Sequence, residues 1–481
     1  MATPIGRHPH PPERSPLLMT QTSSYGGEDH GHHPTSPLTT TDDILLLFAQ
    51  KGTASAKNVA VNLTKTAAGT GILALPFACK EGGLVLFVVG TVGIAVWNVF
   101  CLKRLCDCLD LLLMVSPPVI QSSEQSRMTQ LPPPPAGTAT LGKVAYYALG
   151  ETGLILLDIM LLILLSGIVI AYEVAILSFA KGTPFTTGSN LVDAMILTFL
   201  LVPLSIVDDM SNLSKLSRLG LVILAFAMLV IAGYGISGYD TTTILPEDSP
   251  FSLWPPTGLT GVSHWFGCVV FGFGIVPLTF NFRESMAEPE HLPLTALISM
   301  VLVAFVYIVT GIIMLYLYPD ITDDVLSEIP AGGLATVTRL AMIVVVLATA
   351  PLLIVPCAEI VEGKIHHDGQ VHPKTILLAR TGLSLFTVAI SVMLPGFVAV
   401  LAFVGCFSVA LVSFCIPPFL HMVLLYQQQM RVIPLLNQES ATYPIVPLTI
   451  DLVTFLFGLA MTAVTTLVTF EKMVGKDHQS A

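Results

Sequence analysis

Apolar residues dominate this chain in runs of about twenty, parted by short polar stretches that carry nearly all of its charge. Wound as a helix, about twenty apolar residues match the thickness of a bilayer's hydrocarbon core. That rule predicts eleven spans, at 59–79, 84–102, 152–178, 191–207, 219–238, 262–282, 294–318, 335–359, 376–395, 397–425 and 445–470. The ninth and tenth nearly touch at Pro395-Gly396, which predicts a tight turn between antiparallel helices. Residues 1–54 hold no run that could span; rich in Pro, His, Ser and Thr, they read as a disordered tail. A second disordered stretch is predicted at 106–143, around the proline run LPPPPAG. The pattern thus divides the chain into a tail (1–54), a membrane domain (55–475) and a short C-terminal tail (476–481).

Composition agrees and adds orientation. Of 481 residues, 53% are apolar and only 11% charged, against about 25% charged in soluble domains; the mean hydropathy is +0.79. The fold class is therefore an all-α integral membrane protein. No cleavable leader pattern opens the chain. The net charge of −11 is scattered over acidic loops, with no basic stripe to meet a nucleic acid. On the eleven-span reading, 15 of the 21 Lys and Arg residues fall on the side of the N-terminus, 5 on the other side, and Lys65 within a span. That bias predicts a cytosolic N-terminus and, from the odd count, a C-terminus on the far side.

Most of the eight cysteines lie in apolar segments and read as small core residues. Cys101, Cys106 and Cys108 cluster at the end of the second span, a juxtamembrane position open to palmitoylation, though that is the minority reading. The histidines of HPHPP and HGHHP belong to a solvated tail rather than a metal site. Lys65, Asp158, Glu359 and Asp451 lie toward span ends, where snorkelling or capping accounts for them.

Two spans carry residues that a membrane helix should avoid. The first holds AAGTGILALP (67–76) and the sixth FGFGIVPLTF (271–280). Each contains two glycines and a proline. Pro76 has no amide hydrogen for the Ile72 carbonyl, nor Pro277 for that of Phe273. Irregular backbone at membrane depth is tolerated where it lines a cavity or is buried in protein. Interruptions at corresponding places of two halves point to a binding site. Amide ends after Gly71 suit a carboxylate, and freed carbonyls suit an ammonium group. Together they describe a site for a zwitterion. The alternative is close packing of small residues at helix interfaces.

The segment KTAAGTGILALPFACKEGG (65–83) resembles the first-helix motif of the amino acid/auxin permease family. In the same order, 199–220, FGFGIVPLTFNFRESMAEPEHLP (271–293), PLLIVPCAEIVEG (351–363) and 393–422 resemble that family's later helices. The resemblance implies a LeuT-like five-plus-five inverted repeat with an eleventh helix added. It also implies secondary active transport of amino acids, coupled to protons or, in one branch, to sodium, with no other cofactor. Family-type substrate positions fall on Thr66, Ala68, Gly69, Thr70 and Gly71, on Phe271, Gly272, Phe273 and Gly274, and on the aromatic Tyr172, for which interfacial anchoring is the rival reading. Animal proton-coupled members carry a histidine three residues before the span-1 lysine; here that residue is Asn62, which cannot titrate. Glu173, a carboxylate within a span, is the alternative proton carrier, and Thr349 is a sodium-ligand candidate.

The tail holds ERSPLL, in which Glu13 with Leu17 and Leu18 fits an acidic dileucine signal read by sorting adaptors. It favours a lysosomal or vacuolar membrane over the plasma membrane. No metalloprotease, nucleophile-elbow or P-loop motif is present, so an enzyme is not expected. The expectation is a transporter moving a neutral amino acid with protons from an acidic lumen to the cytosol. An amino-acid sensor with the same pocket and an auxin-like organic-anion permease are the alternatives.

Overall fold

The computed structural model describes residues 52–115, 134–135, 138–206, 210–238, 251–365, 373–394, 396–436 and 445–477. The dileucine residues Glu13, Leu17 and Leu18 lie outside them, as do most of 1–54 and the centre of the 106–143 stretch. Among the described residues the regular structure is helical, relieved only by a single bridge between Ala54 and Met286. Nine helical stretches among the described residues are long and apolar enough to cross a membrane, and Asn190–Ser205 is a shorter apolar helix.

The described chain opens with α1 (Ala56–Ala67), whose Ser55 hydroxyl accepts the Asn58 amide at 3.4 Å. A 3-10 turn (Thr70–Ala74) leads into α2 (Leu75–Val85), with Pro76 in its first turn, where a missing amide is harmless. Gly83 then takes φ 69°, and a side chain there would strike the Trp254 backbone. The ladder is broken at this glycine, and the next amides, Leu84 and Val85, donate instead to Ser252 and Leu253 carbonyls at 2.8 and 3.2 Å. A π-turn (Leu86–Gly90) and α3 (Thr91–Val115) follow, the helix running well past residue 102. Then come α4 (Thr140–Lys181, broken by Gly150 at φ 71°), α5 (Asn190–Ile206) and α6 (Met210–Ser237). The second half holds α7 (Leu259–Gly272), α8 (Thr279–Ser285), α9 (Leu292–Leu317), α10 (Gly333–Thr349), α11 (Pro351–Ile365) and α12 (Pro373–Met393). Last are α13 (Phe397–Val404), two π-turns, α14 (Ile416–Leu436) and α15 (Ile445–Asp477).

The Phe397–Met430 and Leu259–Ser285 stretches are the inside of the bundle, 78% and 72% buried along their apolar windows, against 22% for Ile445–Val474. Large apolar side chains such as Phe199, Leu229, Leu378 and Met393 stand exposed, as they do where a bundle meets hydrocarbon.

Contacts define two ends. At one, the Ala54 amide donates to Ser285 O at 2.9 Å, Thr140 donates to Glu284, and Arg283 reaches Asp110 at 3.2 Å. At the other, Lys80 Nζ donates to Ile321 O at 2.9 Å and Arg339 to the carbonyls of Gly182, Leu326 and Ile329. Asp323 there accepts the Val398 amide at the start of α13.

One expectation is corrected, and one minority reading is set aside. Asp451 neither snorkels nor caps: it is fully buried, with Arg104 Nε at 2.7 Å and His421 Nδ1 at 2.6 Å, so α3, α14 and α15 are joined by an Arg–Asp–His cluster. Cys101, Cys106 and Cys108 are buried in α3, which leaves no thiol open to acylation.

Candidate functional site

The first interruption follows from its glycines. α1 stops at Ala67; the Gly69 amide turns back to Ala67 O at 2.7 Å, and Gly69 itself is extended, with φ −100° and ψ −162°. The 3-10 turn restarts the helix, so the amides of Thr70 and Gly71 head its second half. The second interruption is built alike. α7 ends at Gly272, the Ile275 amide donates to Phe273 O at 2.7 Å, and a 3-10 turn over Val276–Leu278, containing Pro277, restarts the helix.

The two interruptions lie side by side. A methyl placed on Gly71 would sit 3.4 Å from the Phe271 ring and 3.8 Å from Gly272 Cα. A methyl on Gly69 would meet nothing within 4 Å, so open space borders the break at that residue. Thr70 is buried, and the half-buried Tyr172 of α4 faces its hydroxyl. Phe273 is fully buried, while Ala68, Phe271 and Gly274 are partly so. The structure thus gathers Ala68, Gly69, Thr70, Gly71, Tyr172, Phe271, Gly272, Phe273 and Gly274 around one junction. Thr66 stands apart, exposed on α1 with its hydroxyl returned to Asn62 O at 2.9 Å.

The ion candidates sit elsewhere. Glu173 is wholly buried, but it turns to α12, where Thr387 Oγ1 donates to one carboxylate oxygen at 2.8 Å; the other oxygen has no hydrogen-bond partner. Thr349 ends α10, and its hydroxyl donates within that helix, to Val345 O at 2.7 Å.

The carbonyls that the prolines release are not left open. Ile72 O accepts the Leu75 amide, and Phe273 O accepts both Ile275 N and, at 2.7 Å, the side-chain amide of Asn98 from α3. Leu73 O takes the Val325 amide at 3.1 Å from the loop between α9 and α10. The Tyr307 hydroxyl on α9 reaches Ala67 O at 2.7 Å and Gly272 O at 3.2 Å. Tyr307 and Asn98 are the residues that sequence reasoning missed. Both are fully buried. Each is a polar residue within a span, which is itself a functional signal.

The loop that meets Leu73 carries Asp324, buried, with Ser327 donating to it through backbone and side chain at 3.0 and 2.7 Å. Burial, reinforced by the charge of Asp323, pushes its carboxyl up to about 7. An apolar cleft between α4, α14 and α15 is walled by residues such as Leu149, Met160, Phe419 and Phe455; none of its lining residues belongs to the breaks.

A family model described as "Transmembrane amino acid transporter protein" matches residues 52–470. Among curated relatives, "Amino acid transporter ANT1" of Arabidopsis thaliana is 26% identical over 384 residues, covering 76% of this chain and 83% of that protein. "Proton-coupled amino acid transporter-like protein pathetic" of Drosophila melanogaster is 22% identical over 377 residues, 75% of either chain. "Vacuolar amino acid transporter 3" of Schizosaccharomyces pombe is 22% identical over 423 residues, 87% of this chain and 58% of that one.

Proposed function

This chain belongs to the transmembrane amino acid transporter family, a family of transporters rather than enzymes, and from that membership we propose that it carries a neutral amino acid by proton-coupled secondary transport. One observation carries the reading: the interruptions of the first and sixth predicted spans adjoin each other, with open space beside Gly69. The amides of Thr70 and Gly71 suit the substrate carboxylate. Tyr172, beside Thr70, covers the site. A junction framed by phenylalanine rings, with no charged side chain among its gathered residues, favours a neutral side chain on the substrate.

The membrane domain is read as eleven spans. Gly83 divides the first apolar stretch in two, and the shorter helix Asn190–Ser205 supplies another. Spans one to five and six to ten then form a LeuT-like inverted repeat, with α15 added. Alternating access is a rocking of one bundle against the other around the two breaks. Glu173, buried and half-partnered, is the proton carrier. The N-terminus is cytosolic, the tail's dileucine engages sorting adaptors, and the protein resides in a vacuolar or lysosomal membrane, exporting amino acids from the acidic lumen. The vacuolar name of one relative supports that location.

Uptake of labelled amino acids into proteoliposomes under a pH gradient, a sodium gradient or neither tests this. Accumulation is expected with the pH gradient and lost in Gly69→Leu, which fills the open space while meeting no neighbour at its Cβ. Binding without uptake under every gradient overturns transport in favour of a sensor.

A further inference from the structure

In broken membrane helices, the C-terminal ends of half-helices and the unwound carbonyls beside them are where a coupling sodium ion or proton is held. Here two such ends converge on a single oxygen of the protein. Ala67 O, closing α1, lies 2.7 Å from Tyr307 Oη, and Gly272 O, closing α7, lies 3.2 Å from it. The next carbonyl along, Phe273 O, is taken by Asn98 Nδ2 at 2.7 Å.

A tyrosine hydroxyl has one proton. It bonds Ala67 O and turns the positive end of its dipole toward both helix ends, each of which carries the negative pole of its half-helix. That is the electrostatic work of a bound cation. The fit is close. Tyr307 is fully buried with its ring 5.2 Å from that of Phe273, and a Cβ on Gly272 would come within 2.5 Å of the hydroxyl.

We propose that Tyr307 is a built-in substitute for a coupling cation: its hydroxyl fastens both half-helix ends, so no sodium ion is held at the breaks and substrate affinity depends on this positioning residue. The uptake arm of its test rests on the transport reading above; the melting arm does not.

The full chain is assayed in proteoliposomes for uptake of radiolabelled L-alanine, L-proline and L-leucine separately, under a pH gradient, in sodium or choline. The detergent-solubilised protein is melted in the same two salts. Wild type is expected to have the same KM and melting temperature in both. Tyr307→Phe, which removes one oxygen, is expected to raise KM about tenfold with a smaller change in maximal rate. Tyr307→Ser withdraws the hydroxyl from the carbonyls, and its melting temperature is expected to rise in sodium where the wild type's does not. A Phe variant with wild-type KM overturns the proposal, as does a wild-type sodium response that persists in Thr349→Ala. If the Ser variant does not fold, the other three proteins decide. Wild type that takes up none of the probes, with the melting results as stated, ends the transport reading and leaves the cation substitute standing.

Discussion

Gly272 has no space for a methyl, because the Tyr307 hydroxyl stands where one would go, 2.5 Å away. Gly272→Ala is therefore expected to cost about 1–3 kcal/mol, as overpacking of a filled site does, visible as a lower melting temperature. Gly69→Leu makes a contrast, since its Cβ enters open space: melting should hold while uptake fails. At this scale the glycines were legible in the sequence, because a helix breaker announces itself locally. Tyr307 and Asn98 stood out only as polar residues within spans, because the partners that give them their roles lie 240 and 175 positions away. The Asn98 bond is one reason why the Phe273 carbonyl, free on paper, is occupied in the fold, whereas the Ile72 carbonyl is taken locally by the Leu75 amide of the 3-10 turn. Glu173 was legible as a buried carboxylate but not in its direction. One position beyond Tyr172, it faces α12 instead of the breaks.

Among the elements, the loop from Tyr318 to Gly332 is bound more tightly than its polar sequence suggests. It holds Leu73 through Val325, Lys80 through Ile321, and α13 through Asp323. Asp324 sits buried within it, its carboxyl pushed up to about 7 from an ordinary value of 3.8. A raised carboxyl pKa means that the folded loop favours the protonated form. Its contribution to stability is full below pH 3.8 and is lost as pH rises through about 7. The melting temperature of Asp324→Asn should accordingly match the wild type below about pH 3.8, exceed it increasingly from there to about pH 7, and hold a constant lead above that. α15 illustrates a different limit of sequence reading. Hydropathy recognises its length, but not that Asp451 on its first turns meets Arg104 and His421. Asp451→Asn leaves a largely buried guanidinium with only the partly exposed Asp107, at 3.2 Å, as a carboxylate partner, and is expected to cost about 3 kcal/mol. The double change Arg104→Met with Asp451→Leu should recover most of that loss in melting temperature, because it leaves no buried charge unpaired and the Asp107 carboxylate it releases is partly exposed to solvent.

Across the whole molecule, the apolar runs foretold an all-helical membrane protein because span length is a property of the bilayer, independent of the chain's own tertiary contacts. Lys80 and Arg339 meet the loop at one end, while Arg283 meets α3 at the other. What the sequence could not reveal was which spans would be innermost, since Phe397–Met430 and Ile445–Val474 are comparably apolar yet 78% and 22% buried. That difference is set by partners, not by composition. The burial of all eight cysteines, none more than 7% exposed, has a practical bearing on this two-ended architecture. To a water-borne maleimide the natural protein is nearly blank. A single cysteine introduced at either end, or beside Gly69, becomes a reporter without a cysteine-free background first having to be engineered. Sidedness in an intact vesicle, and the opening and closing of the space at the breaks, can then be followed as the rate at which one thiol is labelled.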